Sequence, residues 1–328
     1  MAWLITGGAG FIGSAFVRKA LEENWTQEVV VLDALTYAGN LENLSPVEEH
    51  PGFQFIHGNI CNKDAVKKAL TAKKIDAIFH FAAESHVDRS IQNSQIFVET
   101  NILGTQVLLD AARAFSIKRF VHISTDEVYG SLELDTREKF TENTPLNPTS
   151  PYAASKAASD LLVLAAHKTY GLDTIITRCS NNYGAYQYPE KFIPLFITGA
   201  LQNKELPLYG TGLNVRDWIH VDTHVDGIYK AYTKGRSGEV YNLGGECERS
   251  NIAIAKAICK EVGISEKKIT PVTDRLSHDL RYAIDATKAK EELGFDPGPK
   301  LDDSLKELVT WYQKQKSWLN LSSNKRHS

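Results

Sequence analysis

The stretch Trp3-Leu4-Ile5-Thr6-Gly7-Gly8-Ala9-Gly10-Phe11-Ile12-Gly13 decides the fold of this chain. Strand-forming residues lead into a turn in which Gly8, Gly10 and Gly13 fit the spacing G-x-G-x-x-G, and a helical apolar pattern follows. These glycines permit a tight turn, a close approach of backbone to a pyrophosphate, and close packing of the helix on the strand. The N–H groups at the start of the helix then favour phosphate. The stretch therefore predicts a strand, a phosphate-binding turn and a helix.

The next strand ends in an acidic residue. Val29-Val30-Val31-Leu32 leads to Asp33, about 20 residues after Gly13, where a carboxylate accepts hydrogen bonds from an adenosine ribose. The same charge repels a 2′-phosphate, which favours NAD over NADP. A glycine turn followed by a surface aspartate is the simpler alternative. Together the turn and Asp33 predict NAD as the cofactor.

Strand and helix patterns alternate through the first half of the chain. Strand patterns at 53–56 and 77–81 flank a helical pattern at 63–72, and a longer helical pattern covers 95–114. The alternation predicts an α/β fold with a doubly wound parallel Rossmann sheet covered on both faces. The less regular remainder predicts a smaller, interleaved α/β substrate domain. We expect a cofactor domain at 1–178 and 215–246, and a nucleotide-sugar domain at 179–214 and 247–328.

Composition narrows the class of protein. The 328 residues are 42% hydrophobic and 23% charged, and the net charge of −3 gives no field that favours nucleic acid or an anionic membrane. No apolar run reaches the length of about 18 residues that a membrane span needs. The four cysteines form no C-x-x-C pair and no zinc-type cluster, so we expect free thiols, no metal and a cytoplasmic location. The polar residues 322–328 predict a frayed tail.

A polar stretch, Ser124-Thr125-Asp126-Glu127-Val128-Tyr129-Gly130, follows the apolar strand pattern 119–123. Ligands of open α/β sheets bind at the carboxyl ends of strands. Because successive residues of an extended chain point opposite ways, Asp126 and Glu127 need not share an environment. One can then serve as an acid and the other as a base. A solvated loop that caps the next element is the simpler alternative.

The segment Tyr152-Ala153-Ala154-Ser155-Lys156 opens a helix after a proline-rich loop. Residues i and i+4 share a helix face, so Tyr152 and Lys156 are neighbours. An ammonium beside the phenol favours phenolate and lowers the tyrosine pKa, which makes Tyr152 a candidate base near neutral pH. Lys156 could also reach the ribose hydroxyls of a dinucleotide. A chance pair on a solvated helix face is the alternative.

These features together resemble the extended short-chain dehydrogenase/reductase superfamily, and the finer pattern is similar to the dTDP-glucose 4,6-dehydratases over nearly the whole chain. The matching stretches are 35–40, 84–90, 124–130, 180–184, 189–194, 216–218 and 278–282. The Thr125-Asp126-Glu127 triplet is the most specific, because similar epimerases carry small residues there and similar sugar-nucleotide decarboxylases carry Ser at position 126. The chain departs from the pattern at Leu276-Ser277, where many relatives have a small or Pro-Gly pair.

The resemblance implies three sets of site residues. The catalytic set is Thr125, Asp126, Glu127, Tyr152 and Lys156. The cofactor set is Gly7, Gly10, Phe11, Ile12, Gly13, Asp33, Thr36, Asn59, Ile60, Phe81, Ala82, Ala83, Ser85, Thr100, Tyr152, Lys156 and Asn182. The substrate set is Ser85, Thr125, Asn181, Lys191, Phe192, Pro207, Tyr209, Arg216, Asn251, Arg275 and His278. The resemblance also implies a homodimer formed through the helices 95–114 and 152–170.

The implied reaction converts dTDP-glucose to dTDP-4-keto-6-deoxyglucose. Tyr152 takes the C4 hydroxyl proton as hydride passes to NAD, Glu127 removes the C5 proton while Asp126 protonates the leaving C6 hydroxyl, and the hydride returns to C6. A nearby rival is a UDP-glucose 4,6-dehydratase or another nucleotide-sugar 4-epimerase or decarboxylase. A rival of a different class is a non-catalytic NAD-binding scaffold.

Overall fold

The computed structural model describes residues 1–315, 318 and 319. Its strands are β1 (Ala2–Thr6), β2 (Glu28–Asp33), β3 (Phe53–His57), β4 (Ile75–His80), β5 (Arg119–Thr125), β6 (Thr174–Cys179), β7 (Asn181–Tyr183), β8 (Leu206–Tyr209), β9 (Val215–His220), β10 (Val240–Leu243), β11 (Glu248–Ser250) and β12 (Ile269–Val272). Seven of them form one parallel sheet in the order β10-β6-β5-β4-β1-β2-β3. The strand order reverses beside β1, and that reversal opens a crevice at the carboxyl ends of the strands.

Helices cover both faces of this sheet and build the second half. They are α1 (Phe11–Glu22), α2 (Lys63–Thr71), α3 (Val87–Gln92), α4 (Gln95–Phe97), α5 (Gly104–Ala114), α6 (Pro151–Tyr170), α7 (Phe192–Leu201), α8 (Val221–Lys234), α9 (Asn251–Val262), α10 (Thr287–Leu293) and α11 (Leu301–Lys314). A π-helical segment, Val98–Leu103, joins α4 to α5, and 3₁₀ turns lie at Leu41–Val47, Asp126–Tyr129 and Glu266–Lys268.

The central strands are apolar on both sides because both faces of the sheet are buried. In β1, Trp3 and Ile5 belong to the core on one face, whereas Leu4 belongs to the core on the other. On the first face the Trp3 ring lies 4.7 Å from Phe79 and 6.0 Å from Phe16, measured between centroids. These contacts fix α1, and with it the glycine turn, against the sheet.

The second half has its own apolar core and two small sheets. Helices α7, α9 and α11 pack around side chains such as Phe196, Ile258 and Tyr312. Strand β9 pairs with β7 and β11 in a three-stranded sheet, and β8 pairs with β12. After β9 the chain returns to the main sheet, since α8 packs on α1 and α10 and β10 forms the sheet edge.

The predicted fold class is confirmed, with local corrections. Strand β5 continues through Thr125, two residues beyond the apolar pattern. The helix expected at 95–114 contains the π-helical segment, so its register changes midway. The domain limits remain a prediction, and the tail at 322–328 lies outside the described residues.

Two expectations from composition, on membrane spans and on free cysteines, can be compared with the residues that the structure describes. No helix among them is long and apolar enough to cross a membrane. All four cysteines are free thiols, and three of them are buried.

Candidate active site

The glycine turn forms one end of a cleft at the carboxyl edge of the sheet. Gly7 has φ +71° and lies so close to the next strand connection that a Cβ would be 2.5 Å from Ala82 N. A Cβ on Gly13 would be 2.3 Å from Gly7 O. Helix α1 starts after Gly10 with no side-chain cap, so its first N–H groups are available to an anion. The turn therefore fits a dinucleotide pyrophosphate.

Asp33 ends β2 beside this turn and holds it in shape. Its two carboxylate oxygens accept hydrogen bonds from Ala9 N at 2.9 Å and Leu35 N at 2.7 Å. The aspartate thus has a structural contribution besides the ribose contact that the sequence predicts. The backbone N–H groups of Ala9 and Leu35 therefore hold the Asp33 carboxylate in place at the edge of the cleft.

All predicted cofactor residues line one cleft together with the predicted catalytic residues. The lining contains Gly7, Gly10, Phe11, Ile12, Gly13, Asp33, Thr36, Asn59, Ile60, Phe81, Ala82, Ala83, Ser85, Thr100, Thr125, Asp126, Glu127, Tyr152, Lys156 and Asn182. Of the predicted substrate residues, Ser85, Thr125, Asn181 and Lys191 line it as well. Their individual roles remain predictions.

Asp126 begins the 3₁₀ turn that follows β5, and only 1% of its surface is exposed. Its Oδ1 accepts a hydrogen bond from Thr125 Oγ1 at 3.4 Å, whereas Oδ2 is buried and has no hydrogen-bond partner in the described part of the chain. Burial, the charge of Glu127 and the charge of Asp217 raise the pKa of Asp126 well above its usual value. Asp126 is therefore set up as a neutral acid.

Glu127 is the next residue, yet its electrostatic surroundings differ. Burial raises its pKa, but the cations Lys191, Arg216 and Arg275 act in the opposite direction. Asp126 has only Arg216 among these as an opposing charge, and it has two carboxylates against it. The pKa values of both carboxyls are therefore raised, but that of Asp126 is raised further, so Glu127 is the one of the two that ionises more readily.

Tyr152 and Lys156 lie in the first turns of α6, which Ser150 caps by accepting from Ala153 N. The sequence predicts that the Lys156 ammonium lowers the pKa of Tyr152. That prediction is wrong for the protein without a bound cofactor. Burial and the charge of Glu127 raise that pKa well above its usual value, and only the Thr125 hydroxyl opposes them. The Lys156 ammonium instead donates to Ile123 O at 2.8 Å, and burial lowers its pKa to about 8.

Three cations from the second half approach this site. Lys191 donates to Ser85 O at 2.9 Å. Arg216, on β9, donates to Asp279 O at 2.9 Å, and its guanidinium lies 4.2 Å from the centre of the Tyr282 ring. Arg275 lies 3.7 Å from Asp88, which belongs to α3. Arg216 and Arg275 do not line the cleft themselves, but their charges act on Glu127.

The other predicted substrate residues lie outside the cleft lining and form no single cluster with it. Tyr209 donates to Asp88 Oδ2 at 3.2 Å, and His278 lies 3.5 Å from Arg275. Tyr209 and His278 therefore lie close to Arg275, since Tyr209 and Arg275 both contact Asp88. The remaining three are in the second half of the chain: Phe192 starts α7 and contacts Phe196, Pro207 is exposed on β8, and Asn251 starts α9.

The departure from the family pattern falls on a strained position. Ser277 has φ +51°, in the left-handed region that favours glycine, and the preceding Leu276 is 73% exposed. The segment that carries Arg275 and His278 is thus held in a conformation that its own sequence does not favour.

Several residues of the cleft were not predicted. Cys179 ends β6 next to β5 and Ser180 follows it, so the rule that ligands bind at strand ends could have identified them. Gln187, Tyr188 and Glu190 enter from the loop before α7, where the family resemblance at 189–194 identified Lys191 but not these three. Among the residues that the structure describes, no group of His, Cys, Asp and Glu could hold a metal ion.

The doubly wound sheet, the glycine turn and the Tyr152/Lys156 pair in one cleft define the class of protein, an extended short-chain dehydrogenase/reductase. The family model described as GDP-mannose 4,6 dehydratase matches residues 4–308. The dTDP-glucose 4,6-dehydratase of Streptomyces griseus is 51% identical over 317 residues, which cover 96% of this chain and 95% of that one.

Solved structures agree with this. The dTDP-glucose 4,6-dehydratase of Streptomyces venezuelae, solved with NAD and TYD bound, superposes with a TM-score of 0.95 at 49% identity and covers 98% of this chain and 100% of its own. The UDP-glucose 4-epimerase of Thermotoga maritima is more distant, with a TM-score of 0.88 and 30% identity over 96% of this chain and 99% of its own. The chain belongs to the dTDP-glucose 4,6-dehydratase family.

Proposed function

We propose that this protein converts dTDP-glucose to dTDP-4-keto-6-deoxyglucose with NAD as a resident cofactor. One observation carries the proposal: two adjacent carboxyls in different electrostatic surroundings, Asp126 and Glu127, share a cleft with Tyr152. Water elimination needs an acid for the leaving hydroxyl and a base for the neighbouring carbon. A 4-epimerase has no use for that pair.

The cleft fits NAD because the glycine turn leaves no room for a side chain and the first N–H groups of α1 have no side-chain cap. Asp33 and Asn59 would hold the adenosine end, and Tyr152 and Lys156 the other end. When bound, NAD⁺ supplies the hydride acceptor for C4, returns the hydride to C6 and adds a positive charge that favours the Tyr152 phenolate.

The first step is proton removal from the C4 hydroxyl. Tyr152 is the base, and Thr125 supports it by a hydrogen bond that opposes the rise in its pKa. The Thr125 hydroxyl then donates to the C4 oxygen and polarises the new ketone. Oxidation at C4 makes the C5 proton acidic, because C5 becomes the α-carbon of a carbonyl.

The second step is the loss of water across C5 and C6. Glu127 removes the C5 proton as a carboxylate, and Asp126 gives its proton to the departing C6 hydroxyl. The unpartnered Oδ2 of Asp126 is the oxygen from which that proton would leave. Return of the C5 proton from Glu127 restores its carboxylate. The proton that Tyr152 took from the C4 hydroxyl balances the one that Asp126 gave to the departing water, so its release from Tyr152 and uptake by Asp126 restore the starting state.

Lys191, Arg216 and Arg275 would bind the substrate diphosphate. Guanidinium groups match phosphate oxygens in a bidentate way, and these cations come from the second half of the chain toward the reacting end of the cleft. Selectivity for thymine over uracil is expected to be partial, because a methyl group in an apolar pocket contributes only about 1–3 kcal/mol.

A homodimer is also part of the proposal. Exposed apolar side chains occur on two adjacent helical stretches: Ile96, Val98 and Leu103 around the π-helical segment, and Leu161 on α6, with exposures between 39% and 58%. Pairing these faces between two copies would bury them. Light scattering of the purified protein would report the mass, and a monomer at micromolar concentration would contradict this part. The four free thiols support a cytoplasmic location.

The function is tested by incubating the purified protein with dTDP-glucose or UDP-glucose, first without and then with added NAD. The alkali-induced absorbance of a 4-keto-6-deoxy sugar and a mass loss of one water identify the product. We expect product from dTDP-glucose, at a higher rate than from UDP-glucose. No product from either nucleotide sugar, even with NAD, would contradict the dehydratase assignment.

A further inference from the structure

A buried polar network continues from Lys156 into the protein interior. Lys156 Nζ lies 3.4 Å from His122 Nε2. His122 Nε2 in turn lies 3.4 Å from Asp160 Oδ1. The second oxygen of Asp160 accepts from Arg178 Nε at 2.9 Å. His122 and Asp160 are fully buried and do not line the cleft. His122 Nε2 therefore lies within 3.4 Å of both the Lys156 ammonium and the Asp160 carboxylate behind it.

We propose that Asp160 is a positioning residue for the reaction, because its buried carboxylate, held by Arg178 and close to the His122 ring, is the counter-charge that keeps Lys156 an ammonium ion in the cleft. Asp160 touches neither substrate nor cofactor and acts only through Lys156. The inference rests on the proposed function in one respect, the use of Lys156 in the reaction.

The geometry explains why the carboxylate is at this position. Lys156 and Asp160 are i and i+4 on α6, so their side chains share the helix face that packs on the sheet. A buried ammonium without an opposite charge tends to lose its proton. Arg178 donates to Asp160 and also to Tyr129 OH at 2.9 Å, so the guanidinium that holds the carboxylate is itself fixed.

The titratable groups facing Lys156 come from three strands and its own helix. They are His80 on β4, His122 on β5, Cys179 on β6, and Asp160 on α6. Burial keeps both histidines neutral, with the pKa of His122 lowered to about 4, and it raises the pKa of Cys179 above its usual value.

Asp160 is consequently the ionised acid of this group. Its pKa is lowered to about 2, although burial alone would raise it, because Arg178 and His122 favour the carboxylate. Among the charges acting on Lys156, Asp160 is the largest that opposes the effect of burial.

The first test is Asp160→Asn in the full chain, with kcat followed against pH. Lys156 should then lose its proton at lower pH, so the alkaline limb of the profile should move down by about one pH unit or more, with kcat at pH 7 lowered at least about twofold. Asp173→Asn is the matched control, since Asp173 pairs with Arg119 at 2.9 Å away from Lys156, and it should leave the limb in place. An unchanged limb in Asp160→Asn would overturn the proposal.

A second variant predicts the opposite sign and serves if Asp160→Asn does not fold. Arg178→Gln removes a cation that competes with Lys156 for Asp160, so the alkaline limb should move to higher pH. Loss of a merely structural contact would not shift the alkaline limbs of Asp160→Asn and Arg178→Gln in opposite directions. A downward shift in Arg178→Gln would contradict the electrostatic role of Asp160.

A third measurement does not depend on turnover and separates this inference from the proposed function. The native pKa of Lys156, about 8, lies below its ordinary value of 10.5, so the unfolded state binds the extra proton between these limits and stability rises with pH there. In Asp160→Asn that rise should begin at lower pH. The difference should vanish in the Lys156→Met background, and a difference that persists there would refute the link to Lys156.

Discussion

Replacing Asp126 by Asn gives the sharpest test of the divided carboxyl pair. Asparagine has the shape of a protonated aspartate and can still accept from Thr125, so the variant keeps the geometry and loses the transferable proton. C4 oxidation should continue, because it does not need that proton. Water loss should slow by about 10²–10⁴-fold, the usual effect of removing a positioned acid. That range corresponds to about 2.7–5.4 kcal/mol of transition-state stabilisation.

The same substitution should make the protein more stable at neutral pH. The pKa of Asp126 is raised well above its ordinary value of 3.8 by burial and by the charges of Glu127 and Asp217. Above about pH 4 the native state therefore holds a proton that the unfolded state has lost, and stability falls as pH rises. The slope is at most about 1.4 kcal/mol per pH unit until the native pKa is reached. Asp126→Asn has no carboxyl to titrate at this position, so it removes this fall in stability with pH.

Two assays measure these outcomes on one sample. Single-turnover reactions with dTDP-glucose would report reduced cofactor by its absorbance and water loss by mass spectrometry, and urea unfolding at several pH values would report stability. Asp285→Asn is the matched control. Asp285 accepts from Thr287 N at 2.7 Å and its pKa is lowered, so its loss should destabilise the fold and leave water elimination unchanged. Near-normal water loss in Asp126→Asn, or a stability change with the same sign as in the control, would refute the reasoning.

Four further outcomes are expected. Glu127→Gln should accumulate the 4-keto-glucose stage with reduced cofactor, and exchange of the C5 proton in D₂O would contradict that. Tyr152→Phe should lower C4 oxidation by about 10²–10⁴-fold, so substantial reduced cofactor in a single turnover would argue against Tyr152 as the base. Gly13→Ala should weaken NAD binding and lower the melting temperature, because its Cβ would meet Gly7 O at 2.3 Å; calorimetry and thermal unfolding would show both. Ser277→Gly should raise the unfolding free energy by up to about 1 kcal/mol by removing a left-handed serine, and a loss of stability would show that its φ of +51° is not strained.

The parts of the fold that could be predicted are those that short stretches specify by themselves. The glycine turn, the apolar strands and the capped helix α6 each carry a local pattern, and a parallel α/β chain has few alternative topologies. The pairing of β9 with β7 and β11 has no such local signal, since it depends on contacts between distant segments. The π-helical segment is likewise absent from the apolar pattern of 95–114, which reads as a continuous helix.

The site shows the same division between local pattern and distant contacts. The positions of Asp126, Glu127 and Tyr152 follow from strand ends and helix spacing. The wrong direction for the Tyr152 pKa has a different origin, because spacing placed Lys156 beside the phenol but could not show that burial and Glu127 outweigh it. A shared helix face is therefore insufficient to predict a pKa, which depends on the whole surrounding volume.

The division of labour between Asp126 and Glu127 is consequently a tertiary property. No feature of the dipeptide determines which carboxyl is the acid. In the proposed mechanism Glu127 is the base because cations from the second half of the chain oppose the rise in its pKa, whereas Asp126 is buried next to two other carboxylates. The assignment of acid and base thus depends on how the second half packs over the carboxyl ends of the sheet. A variant that removes Lys191, the first of these cations, should raise the pKa of Glu127 and move the acid limb of the rate profile to higher pH. An unmoved acid limb would show that Glu127 stays ionised without that charge, and that its role is set locally instead.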